Sequence, residues 1–172
     1  GNTSDYAVDS QLIGAGNVVS GTADRTSFNN TITGYANKGV NINHVSVVGT
    51  GNTLSASSSD VVIGDYHEMS GDKNNVVIGS MASKETTVTK HYTITVKNND
   101  TGEIIPEDIP YTVTETVPVK GHAVNVNNTV MIGYNADATG DNSIAIGTNA
   151  QTVQGHPMSP VRGIATGASA VA

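Results

Sequence analysis

At 172 residues, with no cysteine, no tryptophan and a single phenylalanine, the chain lacks both disulfide staples and the bulky aromatics of an ordinary core. A formal charge of -7 on only eight scattered basic residues excludes a nucleic-acid surface, because phosphate contacts need clustered Lys and Arg. No apolar run approaches the roughly 20 residues of a membrane span and no signal peptide is visible, so a secreted protein would be represented here by a mature or excised piece.

Gly, Ala, Ser, Thr, Asn and Val dominate, which suits narrow stacked coils filled with small and β-branched side chains. Eight apolar triplets end in glycine along the chain. They are Leu12-Ile13-Gly14, Ile32-Thr33-Gly34, Val47-Val48-Gly49, Val62-Ile63-Gly64, Val77-Ile78-Gly79, Met131-Ile132-Gly133, Ala145-Ile146-Gly147 and Ala165-Thr166-Gly167. The glycine spacings of 20, 15, 15, 15, 54, 14 and 20 give an underlying period of 14 to 15 residues. A unit that short cannot fold alone and must bury its apolar side against its neighbours, which predicts a solenoid.

Within one rung, Ile144 and Ile146 share a side of the strand and Ala145 takes the other. Val61-Val62-Ile63 and Val76-Val77-Ile78 are apolar on both sides, as in a strand covered on both faces. One face fills the coil; the other needs an external cover, for which another copy of the chain is the first candidate. Val61, Ile63, Val76, Ile78, Val130, Ile132, Ile144 and Ile146 are expected to form the stacked core.

The glycine after each triplet permits a sharp corner. Three and five residues beyond it stand Asn52 and Leu54, His67 and Met69, Ala136 and Ala138, Ala150 and Thr152, Ala170 and Ala172, the inward side of an outer strand. Gly21, Gly71 and Gly140 close the return turn. The expectation is a two-sided β-roll. Thr22 to Thr26 and Gln154 to Pro160 absorb the surplus of the two long spacings, the latter with two prolines that deny a strand its donors.

The 54-residue spacing holds a larger event. Thr86 to Asn98 alternates with strand period, Asn99-Asp100-Thr101-Gly102 signals a turn, and Tyr111 to Val119 is a second Thr/Val-rich strand after a proline-punctuated stretch. The chain thus divides into repeats over 1–85, a β-hairpin-like insertion over 86–124 and repeats over 125–172. Lys90, Lys97, Glu115 and the prolines guard the hairpin's edges against uncontrolled pairing.

Asn142-Ser143-Ile144-Ala145-Ile146-Gly147-Thr148-Asn149-Ala150 resembles the head repeat of YadA-like trimeric autotransporter adhesins, whose signature is Asn-Ser-Val/Ile-Ala-Ile-Gly-x-x-Ser/Ala. Asn128-Thr129-Val130-Met131-Ile132-Gly133-Tyr134-Asn135-Ala136 and Asn75-Val76-Val77-Ile78-Gly79-Ser80-Met81-Ala82 are similar, and Asp60 to Gly64 and Arg162 to Gly167 match more loosely. In the first three copies Gln11, Thr31 and Ser46 take the first apolar position. The resemblance implies a left-handed parallel β-roll, a homotrimer around one axis, and a place on the Gram-negative surface beyond a coiled-coil stalk and an outer-membrane anchor. No apolar heptads, terminal barrel strands or neck motif of that family are recognisable in the chain.

Catalysis finds no support in the pattern. His44, His67, His91, His122 and His156 occupy unrelated repeat positions, with no recurring Ser, Cys or Asp partner, and His67 reads as a packed histidine. Left-handed acyltransferase solenoids, the enzyme alternative, need 18-residue coils. No Gly-Gly-x-Gly-x-Asp calcium repeat, in-register Thr ladder or phosphate loop is present, and no metal or cofactor is expected. Adhesion remains: three weak patches on a rigid trimer gain avidity toward host matrix, a host-cell receptor or another bacterium. A structural segment of a trimeric phage or surface fibre is the alternative. Within the insertion, Ile104, Ile105, Glu107, Ile109 and Tyr111 are the candidate partner-binding residues, set against a role of the insertion in clamping a neighbouring subunit.

Overall fold

The computed structural model describes residues 1–153 and the strand Ile164–Thr166. The chain is all-β, with no helix among the described residues. It separates into two compact units, a roll built from both ends of the chain and a ribbon of Lys84–Val117.

In the roll, the triplets form a seven-stranded parallel sheet, running from Gln11–Ala15 through Thr31–Tyr35, Ser46–Thr50, Val61–Ile63, Val76–Ile78 and Val130–Ile132 to Ile144–Ile146. Each strand pairs with its counterpart one coil on: Val62 lies beside Val47 and Val77, and Val77 lies beside Met131. The stack therefore passes across the insertion without loss of register. A second parallel sheet of five strands, from Thr3–Asp5 to Glu68–Ser70, covers the other side.

Three features depart from expectation. First, the coil has a third hydrogen-bonded column. Ala7–Val8 pairs with Ser27–Phe28, and single bridges continue through Asn43, Ser58, Lys73 and Asn127. Each coil turns there through a left-handed residue, such as Asn29, Asn74, Asn128 or Asn142, a conformation that Asn adopts at little cost. Secondly, the last triplet does not add an inner rung: Ile164–Thr166 runs antiparallel to Gln151–Val153. Gln154 to Pro160, His156, Ala170 and Ala172 lie outside the described residues. Thirdly, the insertion starts and ends earlier in the chain than 86–124. Its strands are Ser83–Lys97 and Ile104–Pro118, and the chain rejoins the roll where Val119 N donates to Ala82 O.

The core also has a different composition. The residue two before each corner glycine points into the coil, so Ile32, Val47, Val62, Val77, Met131 and Ala145 are buried beside outer-strand Val19, Leu54, Met69 and Ala138, and Leu12 of the first rung is half-buried. The eight residues expected as core face outward. Val61, Ile63, Ile78 and Ile144 are 37–45% exposed, and Val76, Val130, Ile132 and Ile146 are half-buried. The interior accepts one side chain per rung because strands with a period of two send their first and third residues to the same, outer side.

The corner glycines fix the stacking distance. At Gly64 (φ 141°) a Cβ would run into the carbonyl of Gly79, the next corner in the column. Glycine is required there twice over, by its backbone angle and by the backbone beneath it.

Candidate functional site

Beneath the corners runs a ladder of buried amides. Asn17, Asn37 and Asn52 each stand three residues past a corner glycine and are inaccessible to solvent. The Asn37 Oδ1 accepts from Asn52 N (3.1 Å) and Nδ2 (2.9 Å), and Asn52 Nδ2 donates to Gly64 O (2.8 Å). Asn17 serves Asn37 in the same way. A buried amide so paired satisfies backbone groups that a narrow coil would otherwise strand.

His67 takes the next place. Its N–H donates to Asn52 Oδ1 (2.9 Å) and its ring Nε2 faces Gly79 O at 2.9 Å. Its Nδ1 meets His122 Nε2 at 2.9 Å, and His122 Nδ1 meets Asp137 Oδ1 at 2.8 Å. Lys120 Nζ donates to the other Asp137 oxygen at 2.8 Å. The two rings lie nearly parallel, 5.3 Å apart. A carbonyl only accepts, so His67 Nε2 carries a hydrogen. Burial pushes His67 down to about 4, and the ring is neutral with a lone pair on Nδ1. Burial pushes Asp137 up, but the hydrogen bonds and charges of His122 and Lys120 outweigh it and hold the carboxyl below its ordinary value. His122 thus bridges the His67 ring and the Asp137 carboxyl through its two ring nitrogens. The His67 reading as a packed residue is incomplete: it ends the amide ladder on a buried ion pair.

His67, His122 and Asp137 are buried, and among the described residues the hydrogen bonds of their side chains reach no Ser, Thr or Cys. Among the described residues no group of three His, Cys, Asp or Glu is placed to hold a metal ion. Sequence reading missed the cluster because its members are 55 and 15 residues apart. The amide ladder itself left a signal, asparagine three residues after a corner glycine.

A second buried row precedes the inner strands. Asn30 Oδ1 accepts from Val45 N (3.0 Å) while its Nδ2 donates to Ile42 O (3.0 Å). Asn75 repeats this with Thr129 N (2.9 Å) and Val126 O (2.8 Å). Between them stands Asp60, fully buried; its Oδ1 accepts from Asn75 N (2.9 Å) and its Oδ2 has no partner among the described residues. Burial pushes this carboxyl up to about 7; the Asn75 N–H works against the shift and the charge of Asp72 adds to it.

Two surfaces remain. On the roll it is the outward side of the seven-stranded sheet, where Val48, Val61, Ile63, Ile78 and Ile144 are exposed. On the ribbon, Ile105, Glu107, Ile109 and Tyr111 alternate with Ile104, so four of the five candidate binding residues share one face and Ile104 lies on the other. Tyr92 joins the first face, its ring 5.7 Å from that of Tyr111. Val88, Ile94 and Val96 follow by strand period, while the opposite face is mostly threonine, with His91 and Asp108 joined at 2.7 Å.

No curated protein and no solved structure matches the chain. Residues 128–150 match the YadA head domain repeat in two copies, over the two rungs that follow the insertion.

Proposed function

We propose that this chain is the head of a trimeric autotransporter adhesin. Three left-handed rolls pack about one axis through the outward side of the seven-stranded sheet and present their loops and ribbons to a partner. The observation that carries this reading is the row of exposed Val and Ile on rungs whose other side is already filled. An apolar row of that length on a monomer is unusual and marks an interface. The surface of a Gram-negative bacterium is its place, with anchoring through other parts of the protein. Host matrix, host cells or other bacteria are its targets, and the insertion contributes Ile104, Ile105, Glu107, Ile109 and Tyr111 to contact. Multivalence supplies the affinity, and no catalysis is involved.

Solution mass by light scattering across a dilution series tests the assembly. A mass of three chains that persists on dilution, and that falls to one chain in the double variant Ile63→Glu/Ile78→Glu, is expected. A stable monomer of the unsubstituted chain overturns it.

A further inference from the structure

The ribbon's two edges are not equivalent. At its tip Asn98 N donates to Glu103 O (2.8 Å), and at its base Val119 N donates to Ala82 O (2.7 Å). Both bonds lie in one register, and the two strands between them are each 15 residues long. In an antiparallel pair the backbone groups of alternate residues face the partner strand and the rest face out. The even-numbered residues of the first strand therefore face the second strand, and its odd-numbered residues face away. On the second strand the even-numbered residues face away.

Pro106 and Pro110 are even-numbered members of the second strand. A proline has no N–H, so that edge is blocked. The outward positions of the first strand include Thr87, Thr89, His91, Thr93 and Thr95, all with N–H groups. The guarding charges do not close this edge: Lys90 is paired with Glu115, whereas Glu85 and Lys97 are exposed and sit near opposite ends of the first strand.

We propose that the open edge of the first ribbon strand is a self-association surface. Two copies of the chain pair antiparallel along it, with His91 opposite His91, and join their ribbons into one four-stranded sheet. This register sets Glu85 of each copy against Lys97 of the other, at both ends of the interface. It sets Thr87 against Thr95 and Thr89 against Thr93 at the hydrogen-bonded positions, and Val88 against Ile94 at the closer non-bonded ones. Moving the centre to Thr89 or Thr93 loses the charge match. Each symmetric contact joins two ribbons and leaves neither with a second open edge. It uses residues other than the roll's apolar side, so it is independent of the trimer.

Sedimentation velocity on the 172-residue chain over a concentration series tests the proposal, comparing wild type with Thr93→Pro. The proline removes an outward N–H, as Pro106 and Pro110 do on the other strand. Wild type is expected to reach at least twice the mass that Thr93→Pro retains at all concentrations. That retained mass, three chains or one, reports separately on the assembly proposed above. Glu85→Lys and Lys97→Glu, which leave the hairpin bonds intact, should each weaken pairing roughly fivefold, and the double exchange should restore it. A wild-type mass that never doubles overturns the proposal, and so does doubling that survives in a folded Thr93→Pro. Failure of the double exchange to restore pairing overturns the register centred on His91.

Discussion

The roll is built mainly from Val, Gly, Asn, Ala and Ser and the ribbon mainly from Thr with Val, Ile and Glu, and the two hold together in opposite ways. In the roll six of the seven inner strands carry a buried inward residue, and buried amides carry hydrogen bonds from coil to coil. In the ribbon no residue is buried. Parallel stacking turns small side chains into a continuous core, because each coil serves as the floor of the next. A lone two-stranded sheet has no floor and is marginal by itself in water. What separates the two regions is repetition.

The largest expected effect breaks the roll at its tightest point. Gly64→Ala forces a methyl into the Gly79 carbonyl and an unfavourable φ, and should cost about 3 kcal/mol or more. Circular-dichroism melting would read this as a large fall in Tm, and an unchanged Tm would show that the corners yield.

A smaller effect separates an amide rung from an acid one. The folded pKa of Asp60, about 7, lies above its ordinary 3.8, so its contribution is complete below 3.8 and is lost as pH rises through 7. The loss is on the order of 4 kcal/mol by pH 8. Asp60→Asn supplies the missing donor at every pH. Its Tm should exceed wild type at pH 8, and the gap should close toward pH 4; a gap constant with pH would assign Asp60 an ordinary titration.

The smallest effect sharpens the comparison from the ribbon's side. Tyr92→Ala removes half of the aromatic pair and should speed amide exchange throughout 84–117. The roll's stability should change by less than about 0.5 kcal/mol. A roll that melts earlier in this variant would make the two units one cooperative structure.

The period and the corner glycines were legible because they answer to backbone geometry, which repeats from coil to coil. The outer-strand pairs, such as Asn52 with Leu54 and Ala136 with Ala138, were legible for the same reason, and all four are buried. The identity of the core was not. Ile63 and Ile78 are larger than their neighbours Val62 and Val77, and size favours them as core, yet the narrow coil takes the middle residue. The buried ion pair was illegible because the ladder position changes from Asn52 to His67 to Ala82, and the partner His122 enters from beyond the insertion. The hairpin could be read from its turn and alternation, but its unequal edges depend on which backbone groups face out, a matter of register.

The unbroken pairing of Val77 with Met131 has an evolutionary reach. The lattice of coils registers a detour of dozens of residues as a single step, provided that the detour leaves and returns through one backbone contact, here Val119 N to Ala82 O at 2.7 Å. That junction is a socket. Recombination can exchange the segment between Ala82 and Val119 without disturbing the register of the roll. An engineer can use the same socket to graft a foreign hairpin.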